Sequence, residues 1–161
     1  MSIAELDNRG VIVTCPHCGQ KNRVLYARLS DPVRCGQCKR ELGPLPAVPI
    51  EIPAPADFDR VVANTAIPIV VDYWAPWCGP CRMVAPEMEK VAARQAGRIL
   101  VVKVNTEALP ELGDRFGIRS IPTLAVFAQG REVARTAGAR PAADIETFVN
   151  QAIEKIHHGA H

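Results

Sequence analysis

The chain has 161 residues, of which 48% are hydrophobic, 22% charged and six cysteine, and its formal net charge is +2. A balance this close to neutral gives no argument for a polyanionic partner. No run reaches the roughly 18 consecutive apolar residues of a membrane span, and the most apolar stretch, 67–74, is interrupted by Pro68 and Asp72. The first ten residues carry Glu5, Asp7 and Arg9 and no apolar run of secretory type, so a cytoplasmic protein is expected.

All six cysteines fall in C-x-x-C pairs. In a reducing compartment such pairs read as metal ligands or redox couples rather than as structural disulfides. The first two pairs, Cys15/Cys18 and Cys35/Cys38, are separated by sixteen residues, the spacing of a tetrahedral structural zinc site with no open coordination position. Each pair forms a tight knuckle, for which Gly19 and Gly36 supply backbone freedom. His17 lies inside a knuckle that already offers two sulfurs and is not counted as a ligand. A pair of disulfides or an unliganded loop is the competing reading. Large apolar residues are scattered here (Val11, Val13, Val24, Leu25, Tyr26, Leu29, Val33), so a module this small is expected to need its metal. Residues 1–47 hold seven Lys/Arg against four Asp/Glu, and the remainder holds twelve against thirteen. That mild basic bias keeps open a second function, a zinc-ribbon adaptor for nucleic acid or protein.

Five prolines between 44 and 55 disfavour helix and central strand alike. Residues 43–47 read as a linker, and 48–52 as a short edge strand. The predicted elements that follow are a helix with Asp57 as N-cap through 64, a buried strand over 69–74, a helix over 78–95 and a strand over 99–105. A short helix over 110–116, strands over 123–127 and 132–136, and a helix over 142–156 complete the chain. Such alternation predicts an α/β domain whose mixed sheet is covered on both faces. His157, His158 and His161 read as a solvated tail.

The third cysteine pair sits in Trp77-Cys78-Gly79-Pro80-Cys81, between an apolar strand and a helix. Free N–H groups and the positive end of the helix dipole at such a junction favour a thiolate, which makes Cys78 the nucleophile. Cys81 lies one turn on, within disulfide reach. Asp72, between Val71 and Tyr73 in the apolar strand, is expected to be desolvated, with its pKa raised toward the range of a general base; a structural buried Asp is the alternative.

The motif W-C-G-P-C with its preceding aspartate resembles the thioredoxin family. The resemblance runs from about residue 48 to 156 and extends to Pro86, Lys103, Ile121-Pro122-Thr123 and Gly138. With the four-cysteine module added, the chain is similar to the zinc-containing, thioredoxin-2 type of that family. The fold implied is a central mixed sheet flanked by helices with a small N-terminal zinc-ribbon-like domain, divided into 1–47, zinc-binding domain and proline-rich linker, and 48–161, thioredoxin domain. The activity implied is protein-disulfide reduction by dithiol–disulfide exchange. The catalytic residues would be Cys78, Cys81 and Asp72, the last taking the proton of Cys81 through water, with Lys103 as its modulator. Trp77, Ile121, a cis Pro122 and Gly138 would form the substrate-binding surface, and Cys15, Cys18, Cys35 and Cys38 would hold one structural zinc. No redox cofactor is expected in the chain. Thioredoxin reductase would be the electron donor and disulfide-containing proteins the substrates. Arg82 stands where the family often has Lys. An exported oxidant or isomerase is disfavoured by Pro80, where such relatives often carry His.

Overall fold

In the computed structural model, residues 4–44 and 46–158 are described. The N-terminal segment forms a three-stranded antiparallel sheet, β1 (Ala4–Leu6), β2 (Gly10–Thr14) and β3 (Lys21–Leu25), followed by a single 3-10 turn at Tyr26–Arg28. The remainder forms β4 (Ile50–Glu51), α1 (Pro55–Asn64), β5 (Ile69–Trp74), α2 (Gly79–Arg94), β6 (Leu100–Asn105), α3 (Pro110–Arg115), β7 (Thr123–Ala128), β8 (Arg131–Ala137) and α4 (Ala142–His158). Its five strands lie in the order β4-β6-β5-β7-β8. β4 and β5 run parallel to β6, whereas β7 runs antiparallel to both β5 and β8.

Strand alternation sorts the core into two layers. Val70, Val101, Leu124 and Val126 pack under α2 (Val84, Met88, Val91) and α4 (Ile145, Val149). Ile69, Val71, Tyr73, Val102 and Phe127 face the other way, toward Phe58 and Val61 of α1 and Leu112 of α3. Asp72 and Lys103 have the parity of Val70 and Val101, so the fold turns both toward α2.

Two expectations are corrected. Helix α1 begins at Pro55 with Ala54 as N-cap, and Asp57 lies inside the first turn, where it pairs with Arg60 at 3.1 Å. Proline's fixed φ suits the first helical position, and an acid in the first turn complements the dipole without capping. The apolar residues of the N-terminal segment are not isolated either: Val11, Val13, Val24, Tyr26 and Leu29 are buried in one cluster with Ile50, Phe58 and Val61. The small sheet thus gains apolar burial from the α1 face. Tyr26 contributes twice, donating its hydroxyl to the Asp7 carbonyl at 2.7 Å and accepting from the Ala66 N–H at 3.4 Å.

Candidate active site and metal centre

Strand β5 ends at Trp74, and the chain turns through Ala75-Pro76-Trp77 into α2, which has Cys78 as its N-cap. The Cys81 N–H donates to Cys78 Sγ at 3.2 Å, so the cap sulfur receives one of the free donors of the first turn. Cys78 and Cys81 are joined as a disulfide with Cα atoms 5.3 Å apart, and both are 4% exposed. Their surroundings differ. Cys78 Sγ lies 3.8 Å from the carbonyl oxygen of Ile121, beside exposed Trp77, whereas Cys81 borders a cavity of about 260 Å³ shared with Asp72 and Lys103.

Asp72 is 1% exposed and its Oδ1 accepts no hydrogen bond among the described residues. Burial in that apolar setting raises it to about 7, against the opposing pull of Lys103. Lys103 does not pair with it; its ammonium lies over the Trp74 ring, 4.5 Å from the centroid. Arg82 turns outward and donates to the Pro76 carbonyl at 2.9 Å, holding the loop before the cysteines.

The Ile121–Pro122 peptide bond is cis. Behind it the Gly138 N–H donates to the Pro122 carbonyl at 2.9 Å, with φ of +100° at Gly138, a conformation that glycine adopts without strain. Ile121 thus lies against the sulfur of Cys78, with Gly138 tied to the next residue, Pro122, and Trp77 preceding Cys78 in the chain. Met83, 70% exposed on α2, was not singled out by sequence reasoning, yet it lies with Arg140 and Pro141 along a shallow depression next to Gly138. An apolar residue on the polar side of an amphipathic helix is the signal that points to it.

The sulfurs of Cys15, Cys18, Cys35 and Cys38 lie within 4.8 Å of one another, with Cys15 Sγ 3.7 Å from Cys38 Sγ and Cys18 Sγ 3.5 Å from Cys35 Sγ. The two knuckles repeat one geometry. The N–H of His17 donates to Cys15 Sγ and that of Gln37 to Cys35 Sγ, both at 3.4 Å. Gly19 donates its N–H to the Cys15 carbonyl, as Lys39 does to that of Cys35. The positive φ falls on Gly19 (+78°) and Lys39 (+65°), four residues after the first cysteine of each pair. Gly36 is accordingly not the flexible residue of its knuckle; its N–H is bound by the Asn22 side chain at 2.9 Å. N–H donors on sulfur favour the thiolate, and the Cys38 N–H, the largest contribution at Cys35, lowers the pKa of that thiol. Four converging sulfurs with this support fit a metal ion and leave no position for a substrate. His17 instead contacts Arg40, 3.0 Å from ring nitrogen to guanidinium. Two further arginines of this segment are engaged by acids, Arg23 by Asp7 and Arg28 by Asp31, which weakens the nucleic-acid reading. His157 is exposed on α4, and the expectations for His161 and for the His158 side chain lie outside the described residues.

The thioredoxin family profile matches residues 49–151, and that described as "Thioredoxin 2, N-terminal" matches residues 14–40. The chain belongs to the thioredoxin family. It is 39% identical over 145 residues to thioredoxin C-3 of Corynebacterium nephridii, an alignment covering 90% of this chain and 97% of that one. To the thioredoxin of Haemophilus influenzae it is 46% identical over 98 residues, or 61% of this chain and 92% of the relative. Among solved structures, a mutant thioredoxin of Halobacterium salinarum superposes with a TM-score of 0.61 at 26% identity, covering 66% of this chain and 92% of the other. The fold is thus a thioredoxin fold preceded by a zinc-ribbon domain, and the protein is a thiol–disulfide oxidoreductase that reduces protein disulfides. No helix among the described residues is long and apolar enough to cross a membrane.

Proposed function

We propose that Cys78 attacks, Cys81 resolves and Asp72 moves the proton between them. In the reduced protein the Cys78 thiolate attacks one sulfur of a substrate disulfide, forming a mixed disulfide and releasing the other substrate sulfur as a thiolate. Asp72 then takes the Cys81 proton, directly or through one water. The resulting thiolate attacks Cys78 Sγ, closing the Cys78–Cys81 bond as the second substrate sulfur leaves. The two leaving thiolates take up protons, so one substrate disulfide is reduced for each Cys78–Cys81 disulfide formed. Trp77, Ile121, Pro122 and Gly138 would hold the substrate segment over Cys78, and Lys103 would tune Asp72. Thioredoxin reductase would return the pair to the dithiol.

Zinc is the ion best suited to four thiolates in a closed tetrahedral set, and it would brace the ribbon without entering the reaction. Free thiols kept for a metal require a reducing compartment, which favours a cytoplasmic location. The division into 1–47 and 48–161 is supported by the two separate sheets.

The observation that carries the mechanism is the buried, unpartnered carboxyl of Asp72 on the cavity that Cys81 borders. Asp72→Asn tests it in two ways. In single-turnover reduction of a disulfide substrate, resolution should slow by roughly 10²-fold or more, the scale of one general base; an unchanged rate rejects the role. Stability supplies the sign. Burial holds the carboxyl of Asp72 in the folded state at about 7, above its ordinary value of 3.8, so the native state holds its proton more tightly and the parent loses stability as pH rises from about 4 to 7. The variant lacks that loss. Its stability relative to the parent should rise by about 4 kcal/mol across that window, measured as urea midpoints at each pH.

A further inference from the structure

Three ionisable side chains stand in one row across the sheet. Asp72 of β5 is the register partner of Lys103 of β6, and Lys103 is the partner of Glu51 of β4. Register partners present their side chains to the same face, so the row reads carboxylate, ammonium, carboxylate under the start of α2. Neutral strand residues flank it: Ile50 and Ile52 are buried on the opposite face, and Leu124 is the partner of Asp72 on β7.

Trp74 closes the row into a network. Its indole N–H donates to Glu51 Oε2 at 3.1 Å, while its ring carries the Lys103 ammonium. Lys103 forms no ion pair with either carboxylate among the described residues. A carboxylate accepting from the indole N–H makes the ring face more negative, which strengthens its hold on a cation.

Resting on the assignment of Asp72 as the base, we propose that Glu51 is a positioning residue of the redox reaction: it anchors Trp74, holds the Lys103 ammonium off Asp72, and so sets the pH at which Asp72 takes the proton of Cys81. The charged and titratable groups around Asp72 are then Lys103, Cys81 and Arg82, which line its cavity, Arg82 turned to the Pro76 carbonyl, and Glu51, which acts through its charge from two strands away. The direction of each influence is fixed by charge. Glu51 raises Asp72 and Lys103 lowers it, while burial raises Glu51 itself against the Trp74 bond. Glu51 therefore counters the ammonium that would otherwise keep Asp72 ionised and a weak base at neutral pH.

Glu51→Gln isolates the charge, because the amide oxygen still accepts from Trp74. Carboxyl-carbon NMR of the oxidised full-length protein reads the titration of Asp72 directly, and single-turnover kinetics of the reduced protein read the pH dependence of resolution. Glu51 is two strands from Asp72 and partly screened by solvent, so both midpoints should fall by about half a pH unit. Lys103→Met, the opposite charge change, should move them up. If the Glu51→Gln midpoints match the parent while Lys103→Met shifts them, the proposal is overturned. A rate lowered equally at every pH, with the Asp72 midpoint fixed, assigns Glu51 a purely structural role and also overturns it. Should the NMR midpoint move without the rate profile, and Asp72→Asn leave that profile intact, Asp72 is not the base and the proposal falls with that reading.

Discussion

Replacing Cys81 by Ser is expected to stall the protein as a covalent mixed disulfide with its substrate, whereas replacing Cys78 by Ser should trap nothing and abolish reduction. The asymmetry follows from the surroundings of the two sulfurs, not from their spacing. Cys78 is the cap of α2, where the Cys81 N–H points at its sulfur, and the carbonyl of Ile121 and the exposed Trp77 border its outer side. A thiolate is stabilised there. Cys81 is an interior residue of the same helix turn and opens onto the Asp72 cavity. Without Cys81 the first exchange proceeds and the second has no nucleophile. Multiple turnover with thioredoxin reductase should vanish in both variants, and intact-mass analysis after exposure to a disulfide peptide should find the adduct on Cys81→Ser alone. Equal trapping by both variants reverses the assignment.

The second large effect concerns the ribbon. Removing the proposed zinc ion, by chelation or by Cys35→Ser, would take away what draws the two knuckles together. Tyr26 and Leu29, which pack in the cluster of Phe58 and Val61, would lose their hold on the α1 face. Exposing two large apolar side chains costs about 3–6 kcal/mol, which for a domain of this size lowers the thermal midpoint by roughly 10 °C. The five-stranded sheet and the Cys78 site remain complete, so disulfide reduction at 25 °C should persist. Metal analysis, thermal melts and insulin reduction on the same preparation check this. A midpoint that does not move shows that the ribbon contributes nothing to the stability of the rest. Activity lost together with the metal shows that the redox site depends on it. Stoichiometric zinc in the purified protein is the accompanying expectation.

Much of the site was legible in the sequence because its chemistry is local. A C-x-x-C pair at a strand-to-helix junction has its electrostatics set by the backbone immediately around it, and an aspartate inside an apolar strand is desolvated wherever that strand packs. Helices α2 and α4 and strands β5 and β6 follow from their hydrophobic periods, since each buries a face whose pattern the chain itself carries. The four ribbon cysteines were legible for the same reason: their spacing is a property of the ligand knuckle.

Tertiary structure alone decided what depends on residues distant in the chain. Sequence places the backbone freedom of the second knuckle at Gly36, but the hydrogen bond from Lys39 back to Cys35 puts the positive φ on Lys39 instead. Val11, Val13, Val24, Tyr26 and Leu29 look too few to make a core, and in isolation they are; their burial is completed by Phe58 and Val61 from beyond the proline-rich segment. Nothing local marks the Ile121–Pro122 bond as cis, because an X–Pro pair is mostly trans and only the resemblance implied otherwise. Glu51 reads as an unremarkable charge on an edge strand until the register aligns it with Lys103 and Asp72. Pairing between strands separated by some fifty residues is a property of the assembled sheet, and a row of charges across three strands exists only after the sheet has formed.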